Sequence, residues 1–234
     1  MPLLYLGITG RALTAYDLRV SYSREERLAL CDLLDATGPE APTLCAGWQT
    51  RDLAAHLVLR ERRPDAAAGV LGGPVARHTA RVQRRLGQRK SYSQLVAAVR
   101  AGPPRLSAFA LPGVDEKVNT VEYFVHHEDV RRAQPGWEPR DIAEELSQAL
   151  WRRLKSARLL MRKAPVGVEL ARDADGGGPY RVTVRNARPT VTVIGTPADL
   201  TMWTMGRTGA ANVTYDGPEA AVAKLRDWSA RRAL

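Results

Sequence analysis

The feature that most restricts the fold of this chain is a change of hydrophobic period near residue 165. Before that point apolar residues recur at intervals of three and four, and after it they alternate, so helices are expected first and strands later. Ser23 to Thr37 reads as a helix. Leu28, Leu30, Cys31, Leu33 and Leu34 form its apolar side, Ser23 with Glu26 makes a capping box, and Gly38 stops it. A second helix is capped by Thr50 and broken by Pro64. Ser93 opens a short third that ends before Gly102. Lys117 to Ala133 forms a long helix closed by Gln134, Pro135 and Gly136, and Asp141 with Glu144 opens another whose stripe is Ile142, Leu146, Leu150 and Leu154.

Beyond the change of period, 167–171, 180–184 and 190–194 read as strands, with Asp175 and the three glycines after it as a hairpin signal between the first two. Thr196 and Pro197 cap a short helix running to Gly206, and Gly217 with Pro218 opens a last one that ends near Arg231. The class is therefore α+β: a helical domain over 23–164 and a small α+β domain over 165–234, with no internal repeat. Residues 1–22 carry neither period and are expected to be a disordered tail or a non-native extension of the reading frame.

The 35 basic residues, 30 of them Arg, exceed the acidic ones enough to give a formal charge of +10. They are spread along the chain. The densest run, Arg77 to Lys90, holds a single large apolar residue, Leu86, and reads as a solvated surface. No helix-turn-helix, zinc finger or group of stacking aromatics accompanies it, so no residue is assigned to nucleic acid. Two cysteines make no disulfide framework, which fits a reducing cytoplasm. No apolar run approaches the roughly 18 residues that a membrane span requires.

Three of the four histidines fall in two of the predicted helices. His56 shares a largely apolar stripe with Leu53, Leu57 and Arg60. Glu122 and His126 are one turn apart, with Asp129 on the same face, so their side chains converge. A carboxylate on an inward face needs a cation, an arginine or a proton. A divalent ion satisfies His56, Glu122 and His126 together, and two His with one carboxylate suit zinc, and also iron or nickel. A satisfied core histidine and a Glu122 paired with arginine are the alternatives that spacing leaves open. His127 is turned about 100° away and reads as a surface or capping residue. His78 reads as solvated.

The phrase LCAGWQTRDLAAHL at 44–57, followed by VEYFVHHED at 121–129, resembles the DinB-like superfamily and in particular the mycothiol-dependent maleylpyruvate isomerase-like proteins of actinobacteria. The resemblance extends to 193–200, Trp203, Gly206 and Arg207. It implies a DinB-like metal-binding four-helix bundle followed by a small α+β domain, with His56, Glu122 and His126 as ligands and Asp129 supporting them. It also implies a role for Arg207 as an anion clamp, the alternative being a cap on the helix that ends at Gly206.

On this resemblance the expected activity is a metal- and mycothiol-dependent isomerase or thiol transferase acting on a small electrophile, with zinc as cofactor and mycothiol as co-substrate. The alternative is a non-catalytic metal or small-molecule binding protein. A protein thiol as nucleophile is the remaining enzymatic rival, and both Cys31 and Cys45 read instead as small buried hydrophobes.

Overall fold

A computed structural model describes residues 22–63, 76–104, 114–172 and 180–232, with side chains from 119 onward in the third stretch. Residues 1–21 of the expected tail and the glycine hairpin lie outside them, while Tyr22, expected in the tail, opens the first helix. Helices come first: α1 (Tyr22–Thr37), α2 (Thr50–Arg62), α3 (Ala76–Arg89), α4 (Tyr92–Arg100), α5 (Val114–Arg131) and α6 (Glu144–Arg153). A 3-10 turn, Leu154–Ala157, leads into the short α7 (Arg158–Met161). Next come β1 (Gly167–Arg172), β2 (Tyr180–Arg185), β3 (Thr190–Ile194), α8 (Pro197–Thr204), β4 (Thr214–Asp216) and α9 (Glu219–Ala230). The architecture is α+β, and the period change marks where helix gives way to strand.

The caps differ from the sequence expectation in an instructive way. Glu26 does not cap α1; its carboxylate is buried and accepts from His127 and Arg140. Thr50 does not cap α2 either, because its hydroxyl donates to the carbonyl of Gly38. Gln49 takes the cap position, and its N–H donates to Asp52 Oδ2 at 3.1 Å. Ser91, two residues earlier than expected, caps α4 with Gln94. In each case a tertiary partner, or a neighbour equally able to cap, outcompetes the residue that local spacing favours. Asp141 likewise stays outside α6, which begins at Glu144.

The helical core joins Leu30 and Leu34 of α1, Leu53 and Leu57 of α2, Leu95 of α4 and Tyr123 of α5, all fully or almost fully buried. Helix α5 is central. Every residue from Tyr123 to Val130 is buried, so the helix is enclosed on all sides rather than on one stripe. That enclosure explains why His127, expected at the surface, lies inside with Nδ1 2.9 Å from Glu26 Oε2.

The sheet runs in the order β2-β1-β3-β4, with β1 antiparallel to β2 and parallel to β3, and β4 antiparallel to β3. Val168, Leu170, Val191 and Val193 form its inner face and pack on Met161, Leu200, Trp203 and Leu225. The indole N–H of Trp203 donates to Tyr215 Oη on β4 at 2.9 Å. Strand β4 was not expected from sequence; three residues are too few to display a period.

A third apolar cluster, Phe124 and Val125 of α5, Leu146 and Leu150 of α6 and Met202 of α8, binds the helices to the sheet region. A polar chain runs beside it. Arg140 bridges Glu26 and Glu128 at 2.7 and 2.8 Å, and Arg132 bridges Glu128 and Asp199 at 2.6 and 2.7 Å. Hydrogen bonds from His127 and Arg140 hold the Glu26 carboxyl below its usual range despite its burial, and Arg132 and Arg140 do the same for Glu128. No helix among the described residues is long and apolar enough to cross a membrane.

Candidate metal centre

Two helices and two turns deliver the side chains. Helix α2 supplies His56, whose ring stands 5.0 Å from that of Trp48 and 5.3 Å from that of His126. Helix α5 supplies Glu122, His126 and Asp129 from positions i, i+4 and i+7. The loop before α2 is tied to the end of α5 by a hydrogen bond from Leu44 N–H to Asp129 O at 3.0 Å. Within that loop Gly47, at φ 74°, allows the tight turn that closes Trp48 N–H onto Cys45 O. Gly206 makes the corresponding turn after α8. Its φ of 87°, with Arg232 O only 2.9 Å from where a Cβ would stand, suits glycine, and the turn aims Arg207 back at α5.

The three residues singled out from sequence meet. Glu122 Oε1 lies 3.3 Å from His126 Nε2 and 3.6 Å from His56 Nε2, and one potential ligand atom from each residue lies within 4.8 Å of the others. Ligands bonded to zinc at 2.0–2.2 Å with tetrahedral angles are about 3.4 Å apart, so these separations fit one shared cation. The donor set, two imidazoles and a carboxylate, fits a borderline-soft divalent metal equally well. Only Glu122 is appreciably open, at 19% side-chain exposure against 7% and 9% for the histidines, which gives the site one accessible side.

Electrostatics sort the three into different roles. Burial lowers the pKa of His56, so its ring is neutral at pH 7 and offers a lone pair. Glu122 is held well below the ordinary carboxylate range by both histidines and Arg60, which overcome its burial. His126 goes the other way. Burial opposes its charge, but Asp129, Cys45 and Glu122 raise its pKa well above the ordinary value.

Behind His126 stands a compact support. Asp129 Oδ2 accepts from His126 Nδ1 at 2.9 Å and from Arg207 Nη2 at 2.7 Å, and Oδ1 accepts from Arg207 Nε at 2.8 Å. These bonds hold the buried Asp129 carboxyl well below its usual range, and the ion pair raises Arg207. Cys45 Sγ lies 3.2 Å from Asp129 Oδ2 and 3.4 Å from Arg207 Nη2. Cys45, His126 and Asp129 also converge closely enough for a cation. With Arg207 holding both Asp129 oxygens, however, that corner is already neutralised and works as a hydrogen-bonded buttress. Fixing Nδ1 in this way turns Nε2 toward Glu122 and His56.

Sequence reasoning placed Arg60 on the His56 stripe without giving it a role, and underrated Cys45. Arg60 Nε lies 3.2 Å from Glu122 Oε1 and its Nη1 donates to Asn119 Oδ1 at 2.6 Å. The periodicity that aligned Arg60 with His56 held the signal. The other cysteine, Cys31, is buried in the helical core and its thiol is pushed up to about 12, so it is no nucleophile at neutral pH. His78 is exposed, as expected.

No known family pattern matches this chain, and no curated protein sequence does. Two solved structures are similar in fold. Mycothiol-dependent maleylpyruvate isomerase superposes with a TM-score of 0.51 at 17% identity, covering 88% of this chain and 96% of that one. A histidine-to-alanine mutant of the same enzyme gives 0.53 at 16% identity with the same coverage. At such identities the likeness establishes a shared fold, and function has to be argued from the site.

Proposed function

We propose that this protein holds one divalent metal ion, zinc foremost, through His56, Glu122 and His126, and that it uses a low-molecular-weight thiol to isomerise, or transfer sulfur onto, a small electrophile. Mycothiol is the thiol of choice, since the two similar structures are of a mycothiol-dependent isomerase. The reading takes 23–164 as a DinB-like four-helix bundle that carries the ligands and 165–234 as the small α+β domain that contributes Arg207. Its principal support is the convergence of three donor atoms, from His56 on one helix and from Glu122 and His126, 66 and 70 positions further along, on another, within 4.8 Å of one another.

When bound, the ion would supply the Lewis acidity that deprotonates a coordinated thiol, whose unperturbed pKa is about 8.5. The chain's own groups do the rest. His56, kept neutral by burial, presents a nitrogen lone pair without first shedding a proton. Glu122 contributes the negative charge that offsets a dication. Asp129 fixes the tautomer and orientation of His126 through Nδ1. Arg207 spends three N–H groups on Asp129 and Cys45 and one on Met205 O, leaving one on Nη1 to meet an acidic group of the substrate.

The test is turnover of maleylpyruvate, or conjugate formation with model electrophiles, by metal-loaded protein with and without mycothiol. Thiol-dependent activity that disappears in His56→Ala and Glu122→Ala is expected. Bound metal with no activity across a broad panel of electrophiles would sink the enzymatic reading in favour of a non-catalytic metal or small-molecule binding protein.

A further inference from the structure

Glu122 Oε1 is shared by three groups: the two imidazoles and a guanidinium. Arg60 Nε sits 3.2 Å from this oxygen, closer than either histidine nitrogen, and Asn119 Oδ1 anchors the same side chain through Nη1. Arg60 is only 11% exposed, so solvent screens its charge weakly. The oxygen that would ligate a metal is therefore already partnered by a guanidinium cation. A dication arriving between His56, Glu122 and His126 meets both competition for the carboxylate and repulsion from a fixed positive charge a few ångströms away.

We propose that Arg60 acts as a charge brake on this site, weakening the hold on a bare divalent cation and favouring a cation that carries an anionic fourth ligand. The inference rests on the metal reading above and extends it to regulation of the same site. An anion on the open position cancels part of the excess charge that Arg60 adds. Metal and anion consequently bind with positive coupling, and by thermodynamic reciprocity each tightens the other to the same degree. A thiolate has the required charge; a neutral carbonyl does not. Arg60 thus discriminates by charge at the open position, before any contact with the remainder of the substrate. Asn119 is a positioning residue in this scheme, because it keeps the guanidinium beside Glu122.

Zinc affinity measured by competition against a chromogenic chelator tests the scheme without any assay of turnover. The set comprises wild type, Arg60→Gln, Arg60→Lys and Glu122→Ala, with Arg84→Gln, on the exposed face of α3, controlling for net charge. Each is measured with and without azide as a simple anion, and thermal melts check folding. Arg60→Gln is expected to bind zinc at least tenfold more tightly than wild type and to lose most of the azide enhancement. Arg60→Lys, which keeps the charge, and Arg84→Gln should stay within about threefold of wild type. Equal or weaker zinc binding by a folded Arg60→Gln, or an undiminished azide effect in it, overturns the brake while leaving the metal site standing. If wild type and Glu122→Ala bind zinc equally poorly, the metal reading and the brake fall together.

Discussion

Arg207 grips Asp129 in fork geometry, Nε to Oδ1 at 2.8 Å and Nη2 to Oδ2 at 2.7 Å, across 78 residues of sequence. The pair joins the turn after α8 to the C-terminal end of the central helix, and Asp129 passes the constraint to His126. A residue of the sheet region thereby helps orient a candidate ligand in the helices.

Because both partners are almost fully buried, removing one strands the other. Arg207→Ala should destabilise the fold by about 3–5 kcal/mol, the range for breaking a buried ion pair. Asp129→Asn keeps the shape and part of the hydrogen bonding, so it should melt closer to wild type while lowering zinc affinity about 10–100-fold. Chemical denaturation and chelator competition separate the two effects. Unchanged affinity in a folded Asp129→Asn would refute the orienting role.

His56→Ala and Glu122→Ala each remove one of three donors. Both should purify as folded proteins with little zinc by elemental analysis, against about one equivalent in wild type. In Glu122→Ala the guanidinium of Arg60 keeps its bond to Asn119 Oδ1, which limits the structural damage. Zinc that persists at full stoichiometry in both would place the metal elsewhere.

Acid should unfasten the helices from the sheet region. Glu26 and Glu128 have pKa values below their reference of 4.5, so the charged forms are favoured in the folded state. The stability they contribute is complete above that reference and is lost as pH falls through and below it. Melting temperature should therefore drop steeply below about pH 4.5. In Glu128→Gln the drop should be shallower, on a lower starting value. A slope identical to wild type would remove Glu128 from the account.

Cys31, with its thiol near 12 and its side chain inside the helical core, should resist thiol reagents in native protein at pH 8 and react promptly in denaturant. Mass spectrometry of the labelled peptides gives the readout. Rapid native labelling at Cys31 would revive the protein-thiol mechanism.

Much of this was legible from local pattern. The i, i+4, i+7 spacing placed Glu122, His126 and Asp129 on one face of a helix, and that face is where the structure has them. His127 was misjudged for a definite reason. Rotation by about 100° leads to the surface only if a helix has one buried side, whereas α5 is enclosed by α1, α6 and the irregular segment carrying Arg140. Caps failed similarly at Glu26 and Thr50, where partners distant in sequence took the polar groups.

Periodicity and residue chemistry, acting within a few turns of chain, determined the helix-then-strand order and which side chains share a face. They could not determine which faces meet. That Arg60 rather than another of the described arginines reaches Glu122, and that Arg207 reaches Cys45 from 162 residues away, depended on packing. The physical reason is that a buried charge accepts whichever partner the closed core brings within about 3 Å, and that selection is made by the whole set of apolar contacts, not by any segment alone.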